Sequence, residues 1–438
     1  MTAEAAGTNT DTDTLQTGGS VAEISRRARA AARPLAALDR SHKDQALAAV
    51  AAGLRASSPA LLEANQQDLT RAQQNGLPRS MQDRLQLTQQ RIEALAAAVE
   101  EIMGLEDPVG RVLQGRTLPN GLRLSQVAVP LGVMGAIYEA RPNVTLDIAA
   151  LAIKSGNAAI LRGGSAAQTT NEMLLAIIRQ ALGTTSAPVD AVQSIDAFGR
   201  EGATELMTTR GSVDVLIPRG GRDLIQHVVQ NSLVPVIETG EGNVHIFIDA
   251  TASVEQAREI VLNAKIQRPS VCNAAETLLL HAGAETAGTE VLRTLHQAGV
   301  LLHLDPRAAA WLGQSEQATA EVTDVTAKHY ATEFNDLELA VGVVDSLDEA
   351  ITHIRVHSTA HTEAIITDSV ANAETFIAEV DAAAVIVNAS TRFVDGGEFG
   401  LGAEVGISTQ KMHARGPMGM AALATTKWII RGEGQIRE

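Results

Sequence analysis

The strongest constraint on this chain is an alternation of short apolar runs with longer helical stretches. It begins near residue 133 and continues to residue 297. Runs at 133–138, 158–161, 192–195 and 213–217 have strand length, and stretches at 146–154, 166–182, 201–209 and 222–231 carry apolar residues at helical spacing. Strand followed by helix, repeated, builds a parallel sheet between helix layers, because each crossover must return to the same end of the sheet. After Val236 and Ile237 the alternation restarts, with strands at 245–248 and 277–281 and helices at 253–265 and 284–297. The fold class implied is α/β: two doubly wound domains with a ligand cleft between them.

The flanks differ. Residues 1–20 are rich in Thr, Gly, Ala and Asp without apolar periodicity, which predicts a disordered tail. Residues 21–105 read as several helices punctuated by Pro59, Gly76 and Pro78. In the last of them Thr88 caps a stretch with apolar residues at 92, 95, 96, 99, 102 and 103. Pro119-Asn120-Gly121 between two alternating stretches predicts a hairpin, able to protrude and pair with another subunit.

Composition narrows the function. Formal net charge is −16, and the chain has only two Trp, two Tyr and six Phe, so it lacks the basic stripe and stacking platforms of a general nucleic-acid binder. No apolar run is long enough for a membrane span, and no basic segment followed by an apolar core marks a secretory signal. One cysteine excludes an intrachain disulfide and a Cys-based zinc site, and a cytoplasmic setting is the simplest expectation.

That cysteine, Cys272, is the first candidate for chemistry. A lone intracellular cysteine is more often a buried small hydrophobe. Here Pro269 and Ser270 break the preceding helix and place it in a polar turn, with Arg268 nearby to favour the thiolate. The second candidate is Asn143, just beyond a strand. Its Pro-Asn pair suits a turn, and its amide N–H suits an oxyanion. The turns Arg162-Gly163-Gly164-Ser165 and Arg219-Gly220-Gly221 also follow strands. Each is either a tight turn or a cradle for phosphate. Neither G-x-G-x-x-G nor the P-loop pattern is present. Glu238, between the two α/β sections, is a general-base candidate or a solvated loop charge. The glycine-rich stretch 388–402 reads as an interdomain loop or a substrate lid. His353, His357 and His361 share i, i+4, i+8 spacing, but no carboxylate completes a metal set, so no metal is expected.

Taken together, four stretches resemble the gamma-glutamyl phosphate reductase family of the aldehyde dehydrogenase superfamily. They are GVMGAIYEARPNVTLDIAALAIKSGNAAILRGG at 132–164, VDVLIPRGG at 213–221, NAKIQRPSVCNAAETLL at 263–279 and VNASTRFVDGGEFGLGAEVGISTQKMHARGPMG at 387–419. The resemblance implies NADPH-dependent reduction of L-glutamyl 5-phosphate to L-glutamate 5-semialdehyde and phosphate, the second step of proline synthesis from glutamate. It implies Cys272 as the nucleophile that forms a thioester, and Asn143 with the Cys272 backbone N–H as the oxyanion hole. Arg162 stands where the superfamily usually carries a cofactor lysine. Arg162, Gly163, Gly164, Ser165, Arg219, Gly220 and Gly221 would hold NADPH, with Glu333 on the nicotinamide ribose, although Glu333-Phe334 is one residue shorter than the superfamily's Glu-x-Phe. The polarity of Arg268, Ser390, Thr391 and Arg392 makes them candidates for the substrate's amino and carboxylate groups.

The same resemblance implies a domain division. Residues 21–114 and 132–240 would form the NADPH-binding domain and 241–405 the catalytic domain. Residues 115–131 and 406–438 would form an oligomerisation element, with a terminal strand near 427–430, in a homo-oligomer. The kinase that makes the labile acyl phosphate would be a transient partner. The alternative enzyme is a hydrolytic aldehyde dehydrogenase with Glu238 as base. A cysteine hydrolase and a non-catalytic dinucleotide sensor leave the glycine turns or Cys272 without a role.

Overall fold

The computed structural model describes residues 19–77, 79–139, 141–313 and 322–437. Most of the expected tail therefore lies outside the described residues. Ser20 is described, and its side chain accepts from the Glu23 N–H to cap the first helix.

Five helices, Val21–Ala36, Arg40–Ala56, Ser58–Gln74, Arg79–Leu85 and Gln89–Gly104, precede the first strand. Pro59 starts its helix rather than breaking one, because the first turn has no N–H bond to lose. Thr88 caps the fifth helix by accepting from the Arg91 N–H at 3.1 Å.

Strands β1 (Val112–Thr117) and β2 (Arg123–Pro130) form the expected hairpin, turning at Gly121 with φ +87°. Next come β3 (Val133–Tyr138), β4 (Ala158–Arg162), β5 (Val192–Ser194) and β6 (Val215–Arg219). They make one parallel sheet in the order β5-β4-β3-β6. Central strand β3 is buried at every position, as a strand covered on both faces must be.

The second sheet contains β7 (Val244–Ile248), β8 (Ala275–His281), β9 (Leu301–Leu304), β10 (Val322–Asp324), β11 (Glu338–Val344), β12 (Thr362–Ile366) and β13 (Ala384–Val387). Its order is β10-β9-β11-β8-β7-β12-β13, with every pair parallel. The strands beyond residue 300 complete the alternation that the sequence shows up to 297. The helix Leu347–His357 carries His353 and His357, but it ends there. His361 is buried just before β12, so the three histidines share no helix face.

Two short strands, β14 (Ile407–Ser408) and β15 (Gly416–Pro417), pair with each other. The last strand, β16 (Ala424–Arg431), runs antiparallel to β2 through eight residue pairs, so hairpin and C-terminus share one three-stranded sheet. Val405, Met418, Met420 and Leu423 pack into the core of the first sheet and its helices. The stretch before β16 thus belongs physically to that core. Among the described residues no helix is long and apolar enough to cross a membrane.

Candidate functional site

Cys272 lies in the loop between the helix Val254–Ile266 and β8, and it is partly exposed. Three restraints fix this loop. Lys265, fully buried, donates to the Ala275 carbonyl at 2.8 Å and to the Glu276 carboxylate at 2.7 Å. The Thr391 hydroxyl donates to the Asn273 carbonyl at 2.7 Å, and Asn273 Nδ2 donates to the Val394 carbonyl at 2.8 Å. Gly242 packs against the Cys272 carbonyl so closely that a β-carbon there would stand 1.5 Å from it. Any side chain at 242 would displace the cysteine.

Glu333 enters through the same glycine. The Gly242 N–H donates to Glu333 Oε1 at 2.9 Å. The one-residue departure from the superfamily spacing therefore does not separate Glu333 from Cys272.

Asn143 sits one residue inside the helix Pro142–Ser155, which starts beyond β3, and its side chain is exposed. Its Nδ2 donates to Asp147 Oδ2 at 3.2 Å, one turn along, which orients the amide. Burial lifts the Asp147 carboxyl to about 6, opposed by Arg219 and by that hydrogen bond. The end of β3 is locked to the glycine turn after β4 by a buried polar chain. Tyr138 Oη lies 2.7 Å from Thr145 Oγ1, Thr145 donates to Asn171 Oδ1, and Asn171 Nδ2 donates to Asp196, which accepts the Gly163 N–H at 2.7 Å. A β-carbon on Gly163 would stand 2.2 Å from the Asn171 amide. At the second turn, Gly221 N–H donates to Glu139 Oε2 at 3.2 Å.

Charge around Cys272 is unusual. Burial pushes its thiol up to about 12; Arg219 and Arg141 pull it down, and Glu404 and Glu333 push it further up. Burial also raises Glu404 to about 7, against the pull of Arg219. Arg219 Nη1 donates to the Glu404 carbonyl at 3.4 Å. Arg219, read from sequence as a cofactor group, thus sets its charge against Cys272, Asp147 and Glu404 as well. Arg268 and Arg392 stand beside the cysteine, and Arg392 Nε donates to Gln267 at 2.8 Å. Ser390 and Thr391 turn inward: Ser390 Oγ donates to Asn263 at 2.6 Å, and Thr391 is fully buried. Glu238 is half-buried; its carboxylate accepts from Gln226 at 3.5 Å, and its N–H donates to Gln410.

Sequence reasoning missed Arg84, Arg141, Asp147, Gly242 and Glu404. Arg141 and Glu404 lie inside stretches that carried the resemblance, so their signal was available. Gly242 shows its role only when the Cys272 carbonyl is placed against it.

The aldehyde dehydrogenase family model matches residues 5–302. The gamma-glutamyl phosphate reductase of Kineococcus radiotolerans is 54% identical over 418 residues, covering 95% of this chain and 96% of that protein. The enzyme of the same name from Thermobifida fusca is 56% identical, with 95% and 98% covered. The crystal structure of gamma-glutamyl phosphate reductase from Thermotoga maritima superposes with a TM-score of 0.91 at 41% identity, covering 96% of this chain and all of that one. The family model, the identity along nearly the full length and the superposition agree: the chain belongs to the gamma-glutamyl phosphate reductases, within the aldehyde dehydrogenase family.

Proposed function

We infer that this chain reduces L-glutamyl 5-phosphate to L-glutamate 5-semialdehyde and phosphate, in proline biosynthesis. It is an oxidoreductase that uses a nicotinamide cofactor and acts on a small molecule. What supports the residue-level reading is Cys272 in a clamped loop with the charges of Arg219 and Arg141 acting on it, Arg141 standing two residues before Asn143.

Cys272, its thiol proton passed to water, attacks the acyl carbon as the thiolate. A sulfur–carbon bond forms, the bond from carbon to the phosphate oxygen breaks, and phosphate leaves with the electron pair. Covalent catalysis divides one hard displacement into two easier ones. The Asn143 N–H and the Cys272 backbone N–H meet the oxyanion of each tetrahedral stage, and removing one such donor typically costs about 3 kcal/mol of transition-state stabilisation. The raised thiol needs a proton acceptor or a compensating cation, and Arg219 is the leading cation.

The Gly163 N–H is already taken by Asp196 and the Gly221 N–H by Glu139, and Gly163 is bare because Asn171 packs against it, so at these turns a dinucleotide phosphate would meet the Arg162 guanidinium and the rest of the 163–165 turn. Arg162, Gly163, Gly164 and Ser165 would hold the phosphate side, with Gly220 and Gly221 at the neighbouring strand end and Glu333 on the ribose. A bound nicotinamide would supply hydride to the thioester carbon, after which the carbon–sulfur bond breaks to release the aldehyde and return the Cys272 thiolate. NADPH is the form favoured, since Arg162 offers charge for a 2′-phosphate; its side chain donates to the Gly199 carbonyl at 3.4 Å and feels the Asp196 carboxylate.

Arg268 and Arg392 receive the substrate carboxylate, while Ser390 and Thr391 act by holding the loop that carries Arg392. Glu238 is not required as a base: phosphate, not water, accepts the acyl group in reverse, and the carboxylates that most affect Cys272 are Glu404 and Glu333. The domain division is 21–114 with 132–240 for the cofactor and 241–405 for catalysis. Residues 115–131 with 406–438 form the oligomerisation element of a homo-oligomer, anchored through Met418, Met420 and Leu423 on the core of the first sheet. The setting is cytoplasmic, and a transient contact passes the labile acyl phosphate from its kinase.

The test is NADPH oxidation with glutamyl 5-phosphate made in situ. Wild type should release one phosphate per NADPH and prefer NADPH to NADH, and Cys272→Ala should be inactive. An active Cys272→Ala protein would remove the thioester from the mechanism.

A further inference from the structure

The guanidinium cluster is larger than the substrate carboxylate requires. Arg141 caps the helix that carries Asn143 without a side-chain cap bond of its own. Its strand, β3, pairs with β6 so that Tyr138 lies opposite Arg219. Arg84 reaches in from the helix Arg79–Leu85 and donates to the Ser270 carbonyl at 3.0 Å, two residues before the nucleophile. Burial, then the charges of Arg84, Arg219 and Arg268, push Arg141 down to about 10, while Cys272 alone opposes the shift. Among the described residues neither Arg141 nor Arg268 has an ion-pair partner, and Arg84 has only a carbonyl. Glu404 and Asp147 oppose Arg219, but Arg84 and Arg141 gather like charge without an ion pair of their own, which is unfavourable until an anion arrives.

The substrate brings two anions, and their places differ. The phosphate is bonded to the carbon on which the oxyanion develops, so it must lie beside Asn143. The carboxylate lies at the far end of the molecule. Arg141 is two residues from Asn143, whereas Arg392 is tethered to Gln267, at the end of the helix before the cysteine loop.

We propose that Arg84 and Arg141 form the subsite for the phosphate of the substrate, holding it as it leaves in reduction and positioning it for attack in the reverse reaction. This rests on the acyl-phosphate reading above. Guanidinium groups suit the task because their planar donors match phosphate oxygens in pairs.

The test measures apparent KM for inorganic phosphate and for glutamate 5-semialdehyde, in NADP-dependent oxidation by wild type, Arg141→Gln, Arg141→Lys and Arg84→Gln. Phosphate KM should rise about tenfold or more in each Gln variant, the effect of losing a charged hydrogen bond. Semialdehyde KM should stay within about twofold, and Arg141→Lys should fall between wild type and Arg141→Gln. Protection of Cys272 from iodoacetamide by inorganic phosphate, read without turnover, should weaken in parallel. Unchanged phosphate KM, or a rise confined to semialdehyde KM, would overturn the assignment. A wild type indifferent to phosphate would instead overturn the acyl-phosphate reading on which it rests. If Arg141→Gln does not fold, Arg84→Gln carries the same comparison, since its side chain bonds only one carbonyl.

Discussion

At the scale of single residues the resting cysteine is a protonated thiol. Burial and the fields of Glu404 and Glu333 hold it near 12, and Arg219 and Arg141 resist. Alkylation of the ligand-free protein by iodoacetamide should therefore climb about tenfold per pH unit from 7 to 10 without a plateau, because only the thiolate reacts. The sign at each neighbour follows from charge. Glu404→Gln removes a negative field and should speed alkylation at fixed pH; Arg219→Gln removes a positive one and should slow it. A plateau below pH 9, or the opposite order of the variants, would contradict this electrostatic picture. Legibility at this scale is uneven for a physical reason. Cys272 and Asn143 stand at breaks in apolar periodicity, which sequence displays. Arg84 sits in a short amphipathic helix some 190 residues upstream, where nothing local marks it, and only folding brings it to Ser270.

At the scale of elements the buried Lys265–Glu276 pair is the main clamp on the catalytic loop. It joins the helix before Cys272 to the strand after it, and Glu276 also accepts from the Asn335 N–H at 3.2 Å, holding the loop that bears Glu333. Burial pushes the Glu276 carboxyl up and Lys265 down, and each is opposed by the charge of its partner. Lys265→Met should destabilise the protein by about 3–5 kcal/mol in urea unfolding, because it leaves a buried carboxyl without its cation. Adding Glu276→Gln should recover part of that loss, and a loss below about 1 kcal/mol in the single variant would mean that water replaces the lysine. The sequence announced these elements unequally. Strands buried on both faces are continuous apolar runs, so β3, β4, β7 and β8 were plain. The helix beyond β6, Arg222–Asn231, was read correctly, but β6 itself ends two residues later than its apolar run, because Pro218 and Arg219 continue the pairing with β3. The clamp was invisible, since a lysine and a glutamate eleven residues apart look like surface charges until both are seen buried.

At the scale of the whole molecule, the three-stranded sheet of β1, β2 and β16 stands apart from the two parallel sheets. It exposes Val112, Leu113, Trp428 and Ile430 along an edge and a face, and unpaired strands with apolar side chains invite pairing. Trp428→Lys combined with Ile430→Lys should shift the protein to a smaller species in light scattering if this sheet joins subunits; an unchanged mass would place the interface elsewhere. The Asn-Gly turn and the β-rich terminus made this sheet legible. The return of residues 405–423 to the first core was not, because it depends on contacts with helices more than 250 residues earlier. The chemistry proposed at the Cys272 loop demands phosphate as the acyl acceptor. The most direct measurement is therefore NADP reduction by glutamate 5-semialdehyde, with and without inorganic phosphate, in wild type and Cys272→Ala. Turnover that requires phosphate and disappears in Cys272→Ala is the expected result. Steady turnover without phosphate would show that water takes the acyl group, and would contradict the assignment of this site to an acyl phosphate.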